Sequence, residues 1–399
     1  MNSVRFYLKV YFGILISGLL TVASFNLIVD PYNIYRLVEV PGLDRKDPSI
    51  VKSAMRRIKS IDITERNYDT LILGSSRVIQ GIDPESPIFS DFSAYNAGLP
   101  RAYIYEIYHI FKYAQKNLDL KAVVLGLDFE VFLLNADRGI KDFELSKFTG
   151  NNIYLANWKN LFTWQNIEFS WKTIKSQKHD YSFVYTDKGF RKNNYFIGNY
   201  HDNFEKHTQH VFALVGGEKE NLLPQKSNIK YNLKLIEKIV KDCQKNNIKL
   251  YLFISPTHAH QLEVYRILNL FSLYENWKKQ LTTMTNKLSK NNSKNNYMLW
   301  GFSGYNRINT EKIQDRNMHW YWDSSHYKKK VGEMILARLL GQDASQDVSE
   351  DFGKIINIHN VESHTRNIRQ EQKQYQQGFP GEVEKVEQIA REMKIRLER

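Results

Sequence analysis

Between Thr70 and Leu340 short apolar runs alternate with longer amphipathic ones. That alternation restricts the chain to an α/β architecture in which helices cover a mostly parallel sheet. Thr70–Leu73, Phe92–Asn96, Lys121–Leu127, Lys249–Ile254 and Tyr297–Trp300 predict five strands. The Ala-Val-Val-Leu centre of the third suits a strand buried on both faces. Helical spacing over Ala102–Lys116, Ile229–Asn246 and Lys329–Leu340 predicts covering helices. Sheets of this kind hold ligands at the carboxyl ends of their strands, so the residues that follow each run are where chemistry is to be sought.

The first run breaks into Gly74-Ser75-Ser76-Arg77. A sharp turn there lifts a hydroxyl clear of the sheet, beside the free N–H groups of the helix that follows; Gly-Ser-Ser is also ordinary turn chemistry. What separates the two readings lies far downstream, in Trp322-Asp323-Ser324-Ser325-His326-Tyr327. An Asp three residues before a His can fix the imidazole tautomer and leave the other ring nitrogen free to take a serine proton. The plainer role for this stretch is a helix cap, with Asp323 or Ser324 accepting backbone N–H bonds. Two other residues invite a substrate-binding role. His258, in Ser255-Pro256-Thr257-His258-Ala259-His260, follows a strand end and either faces the cleft or makes ordinary loop hydrogen bonds. Arg77 either holds a substrate carboxylate or phosphate, or pairs with Asp83 or Asp128.

The ends of the chain differ from its middle. Val10 to Val29 is a run of twenty residues without a formal charge, and as a helix it would extend about 30 Å, the thickness of a bilayer's hydrocarbon. Arg5 and Lys9 before it, and Asp30 after it, predict a single span with a cytoplasmic amino terminus and everything beyond Asp30 outside. A signal peptide cleaved near Thr21-Val22-Ala23 is the alternative. Residues 31–64 read as a linker, 65–342 as the main domain with a polar, aromatic-rich insertion at 141–228, and 343–399 as a charged helical tail. Ser349 to Gln377 reads as a linker or mobile helix. Val383, Val386, Ile389, Met393 and Leu397 form an apolar stripe that suits docking on the main domain, a partner or a membrane surface. His179, His201, His207 and His210 in the insertion lack a metal-ligand spacing and read as surface residues. The aromatics of the insertion could stack on sugar rings. The 56 basic against 43 acidic residues, a net +13, suit an acidic neighbour. No zinc-finger, RNA-binding or Lys/Arg-block pattern supports nucleic acid. Cys243, the single cysteine, excludes an intrachain disulfide.

Ser76 after the first strand, Asn96-Ala97-Gly98 after the second and Asp323-x-x-His326 before the last helix together resemble the ordered blocks of the SGNH (GDSL-like) hydrolase superfamily. Within it, the chain is similar to membrane-anchored envelope proteins related to alginate acetyltransferases and to the protein of D-alanine transfer to teichoic acids. Phe302-Ser303-Gly304-Tyr305-Asn306, and the span followed by Asp30-Pro31-Tyr32-Asn33, carry the same likeness. The resemblance implies a three-layer α/β/α sandwich with a flavodoxin-like five-stranded sheet. It implies Ser76 as nucleophile, Ser75 in place of the usual acid, His326 as base, Asp323 as its orienter, and the backbone N–H groups of Ser76 and Arg101 as oxyanion donors. Asn96 joins Arg77 and His258 as a candidate substrate contact. Two departures stand out: Arg101 falls where the family has a glycine, and Leu127-Asp128-Phe129-Glu130 offers carboxylates where the family has an asparagine.

The expected activity is a serine esterase or O-acyltransferase that needs no metal or organic cofactor. Its expected substrate is an acylated envelope glycan, with a membrane-embedded acyl donor protein as partner, in the periplasm of a bacterium and tethered to the inner membrane. A catalytically impaired scaffold or glycan-binding component is the alternative, and a lipid esterase a third.

Overall fold

A computed structural model describes residues 2–38, 43, 45–134, 139–178, 185–192, 198–216, 226–290, 297–342 and 349–397. In chain order its elements begin with α1 (Asn2–Val29), α2 (Pro48–Ser53), α3 (Met55–Asp62), β1 (Thr70–Leu73), α4 (Ser76–Gly81), β2 (Ala94–Asn96), α5 (Ile104–Asn117) and β3 (Ala122–Leu127). There follow α6 (Phe129–Leu133), α7 (Lys141–Glu144), α8 (Ile153–Asn157), α9 (Trp164–Ser176), α10 (Tyr200–Gly216), α11 (Lys226–Lys245), β4 (Lys249–Ile254) and α12 (Ala259–Ile267). The chain ends with α13 (Phe271–Lys290), β5 (Leu299–Gly301), α14 (Lys329–Leu340), β6 (Lys354–Ile356), α15 (Val361–Gly378) and α16 (Pro380–Leu397). The residues group into two units, Met1–Glu65 with Gly139–Val184, and Arg66–Arg138 with Tyr185–Arg399.

The second unit is built on a sheet of order β2-β1-β3-β4-β5-β6. The strands β1 to β5 are parallel, with Leu73 beside Leu125, Leu127 beside Ile254 and Ile254 beside Gly301. Every residue of β1 and β3 is buried, as their unbroken apolar runs require of strands covered on both faces. The expected five strands become six in a mixed sheet, because β6 pairs antiparallel with β5 through Ile356 and Leu299. Three residues, of which Lys354 and Ile355 are exposed, carry no periodicity by which a sequence could disclose a strand. The stretch expected as a linker or mobile helix holds this strand and α15, and α16 follows as the stripe suggested. Ile368 and Tyr375 of α15 and Val386 and Ile389 of α16 are buried. The α16 helix packs on α10 and α12, and α15 on α13, where Arg369 Nε donates to Glu275 at 2.6 Å. The tail's apolar stripe is therefore docked; the Leu397 side chain and all of His179 lie outside the described residues.

The first unit holds α1, and residues 48–62, expected as linker, form α2 and α3. Asp47 caps α2 by accepting from the Ser49 and Ile50 N–H groups. Buried Arg57 of α3 ties in the later segment, donating to Asp142 of α7 at 2.6 Å and to Asn157 of α8 at 2.7 Å. By length and composition Ser3–Val29 is long and apolar enough to cross a membrane. The helix stops at Asp30, whose carboxylate accepts the N–H groups of Ile34, Tyr35 and Arg36 at 2.8–2.9 Å.

Candidate active site

Ser76 is the first residue of α4, three residues past the end of β1, and the turn that puts it there depends on glycine. Gly74 has φ +154°, and a Cβ on it would overlap the Val78 side chain and come within 3.1 Å of the Gly126 carbonyl. Ser75 is the N-cap of α4, accepting from the Arg77 N–H at 3.3 Å and donating to the Asp128 carboxylate.

The second half of the site is a tight loop rather than a helix cap. The Trp322 N–H donates to the His326 carbonyl at 2.8 Å, and the loop is fastened by Asp323, whose Oδ1 accepts the N–H groups of Ser325 and His326 at 2.8 and 2.9 Å. The same carboxylate takes the His326 ring, with Oδ2 2.8 Å from Nδ1. This leaves His326 Nε2 2.7 Å from Ser76 Oγ, across 250 residues of sequence. The N-cap of α14 is Lys328, whose side chain makes no capping bond. Asp323 thus accepts backbone N–H bonds as a cap would, yet within its own loop.

The two serines between Asp323 and His326 clamp that loop from both sides. Ser325 Oγ accepts from Arg77 Nε at 2.8 Å, and Ser324 Oγ lies 2.9 Å from His207 Nδ1 on α10. His207 also packs its ring edge to face with His326, centroids 5.1 Å apart. One turn on, His210 Nε2 accepts from Arg101 at 2.9 Å. The expectation that these histidines are surface residues is corrected for His207, which closes over the site; His210 stands half-buried beside it. Helical spacing on α10 puts both on one face, but nothing local in the sequence says which loops that face meets.

Burial sets the electrostatics. It pushes His207 down to about 4, helped by positive charge on His326, Arg77 and His210 and opposed by Asp323. Burial first, then Arg101, also lowers His210. For Asp323 burial acts upward, but the imidazoles of His207 and His326 and the His326 hydrogen bonds outweigh it and hold the carboxyl well below its usual range.

Three expected substrate contacts are structural instead. Arg77 is 4% exposed and spends its guanidinium on Ser325, on Glu130 at 2.8 Å and on Asp128 at 3.3 Å. Of its two expected partners, the pairing is with Asp128. Asp128, one of the carboxylates that stand where the family has an asparagine, is turned to Arg77 and Ser75. Asn96 is fully buried, donating to the Val78 and Ile82 carbonyls and accepting from the Gly98 N–H at 2.9 Å. His258, 1% exposed, is the N-cap of α12, with Nδ1 accepting from the His260 N–H and Nε2 2.8 Å from the Glu311 carbonyl. A polar side chain after a strand end looks the same in sequence whether it faces a cleft or satisfies buried backbone groups. Arg101 has φ +49°, the left-handed region that favours glycine.

Among the described residues, His207, Asp323 and His326 also bring donor atoms within 4.8 Å of one another, close enough to share a cation. Both ring nitrogens of His326 already face Asp323 and Ser76. No family model, curated protein or solved structure matches the chain.

Proposed function

We propose that the chain is a serine esterase or O-acyltransferase, anchored by α1 and acting outside the cytoplasm of a bacterium on an acylated envelope glycan. The observation that carries this is the continuous Ser76, His326, Asp323 relay at 2.7 and 2.8 Å. In this reading Ser76 Oγ attacks the acyl carbon as its proton passes to His326 Nε2. The carbonyl oxygen becomes an oxyanion held by the N–H groups of Ser76 and Arg101, and the collapse of the adduct expels the sugar oxygen with the proton from His326. Water or a second hydroxyl, deprotonated by His326, then takes the acyl group from Ser76. Asp323 holds the ring tautomer throughout.

Several features support the resemblance to SGNH hydrolases on which the substrate class rests. The β1 to β5 order, 2-1-3-4-5 and parallel, is the doubly wound order of a three-layer sandwich. Arg101 keeps the backbone form a glycine would have. Arg5 and Lys9 before the span favour a cytoplasmic amino terminus.

A serine-directed fluorophosphonate tests the relay. Wild type should label and S76A should not, while H326A should label at least about 10³-fold more slowly. Equal labelling of wild type and S76A sinks the assignment. The cation-sized grouping of His207, Asp323 and His326 favours a second reading, a metal-activated water. Chelator decides between them: labelling and hydrolysis that survive it support the serine, and hydrolysis lost with labelling absent supports the metal. A scaffold or glycan-binding role would show as full cellular function in H326A, and a lipid esterase as acyl release from phospholipid but not from polysaccharide.

A further inference from the structure

Large apolar side chains exposed among the described residues are concentrated in the first unit. Outside α1 it carries Leu155, Trp158, Phe162, Trp164 and Trp171 at 41–72% exposure, with Tyr154 beside them. In the second unit Tyr231, Met298, Ile355 and Ile358 are the exposed members. Tryptophan makes the contrast plain: all three in the first unit are at least half exposed, whereas Trp277 of the second is buried and Trp300, Trp320 and Trp322 are partly so. Side chains of this size left in water would cost about 1.5–3 kcal/mol each relative to burial, so a cover is expected.

The position of these residues along α1 identifies the cover. Ser3 to Thr21 are exposed without interruption, and burial begins at Val22. From there to Val29 the helix is wrapped by α9 and by the turn at Trp158–Phe162. Buried Asn26 donates to the Leu161 carbonyl and accepts from Ser170 Oγ, both at 2.8 Å, and Phe25 packs on Trp171 with centroids 5.6 Å apart. Counting from Lys9 at the cytoplasmic face, about 30 Å of hydrocarbon ends near Val29. The wrapped stretch, about 12 Å long at 1.5 Å per residue, then covers the outermost part of that hydrocarbon, up to its boundary with the headgroups. Tryptophan favours that depth, and interfacial helices enter it by about 5–10 Å. Exposed Lys159 and Lys175 lie among the aromatics, with stems long enough to reach lipid phosphates.

We infer that residues 153–176 form a collar around the outer end of α1 that is seated in the outer leaflet of the membrane the helix crosses, with Trp158, Trp164 and Trp171 in contact with lipid. The inference rests on the reading of α1 as a membrane span.

The test uses the full chain in nanodiscs made with lipids brominated on their acyl chains, beside unbrominated controls. Bromine should quench wild-type tryptophan fluorescence. The triple variant Trp158→Phe, Trp164→Phe, Trp171→Phe, which keeps an apolar ring at each position, should lose most of that quenching. Quenching unchanged in the triple variant overturns the collar, as does an unquenched wild type whose 153–176 segment crosslinks to a second copy. Alkaline washing of proteoliposomes separates the two claims. Release of the chain defeats the span itself, whereas a retained chain with unquenched Trp158, Trp164 and Trp171 defeats only the collar.

Discussion

Arg77 shows how a residue can belong to a site without touching what the site binds. It follows the candidate nucleophile, and its guanidinium reaches Ser325 in the loop that carries the candidate base. The two halves of the relay are thereby fixed to one buried cation, itself neutralised by Asp128 and Glu130. Arg77→Met should cost about 3–5 kcal/mol, because two carboxylates would remain buried without their partner. Denaturant unfolding measures this. If the variant instead unfolds like wild type and only KM rises, Arg77 is a substrate contact after all. Ser324 and Ser325 belong to the same account: their side chains point to opposite neighbours, so the loop is held by α10 on one side and by α4 on the other.

At the scale of elements, the turn from β1 to α4 is the part most constrained by space. Val78 sits where a Cβ on Gly74 would go, and Val78 also lies in the core cluster with Ile72, Val124 and Phe253. Gly74→Ala must therefore push α4, and Ser76 with it, away from β3. The expected loss is about 1–3 kcal/mol of stability, together with slower phosphonate labelling of Ser76. Thermal unfolding and the labelling rate, measured on the same preparation, check both; an unaltered rate would mean that the turn does not position the hydroxyl. The strands β1 and β4 and the helix α14 were legible because their apolar spacing is regular and their length sufficient. Three-residue β6 was not, and neither was α12, whose packing rather than a clean stripe makes it a helix.

Across the second unit, buried histidines tie stability to pH. Burial first, with His258, Lys385 and His201 adding to it, takes His260 down to about 3, and burial opposed by the Glu311 carbonyl and Asp323 takes His258 to about 4. Their ordinary value is 6.5. Above it both are neutral folded or unfolded and pH has no leverage through them. As pH falls below 6.5 the unfolded chain takes up protons that the folded chain refuses, so stability declines until about pH 4 and about pH 3 respectively. His207 adds to the same limb. Asp323 acts elsewhere, since its lowered carboxyl stabilises the fold above 3.8 and loses that contribution only as pH falls below it. Urea unfolding at about pH 7.5 and about pH 5 should show a lower midpoint in acid, and His260→Gln should narrow the difference. A midpoint that does not move would mean these rings reach water when they take a proton.

Sequence by itself determined what depends on order along the chain: an apolar helix at the amino terminus, alternating strands and helices, a glycine turn presenting Ser76, and Asp323 three residues before His326. Each is a local pattern, set by side-chain periodicity or by the reach of one loop. Only the tertiary structure decided which polar groups share a neighbourhood. It turned Arg77, Asn96 and His258 inward to satisfy buried charges and backbone groups, and it brought His207 from a helix of unremarkable composition over the site. Burial is a property of what surrounds a residue, and for these side chains the surroundings come from segments tens to hundreds of residues away.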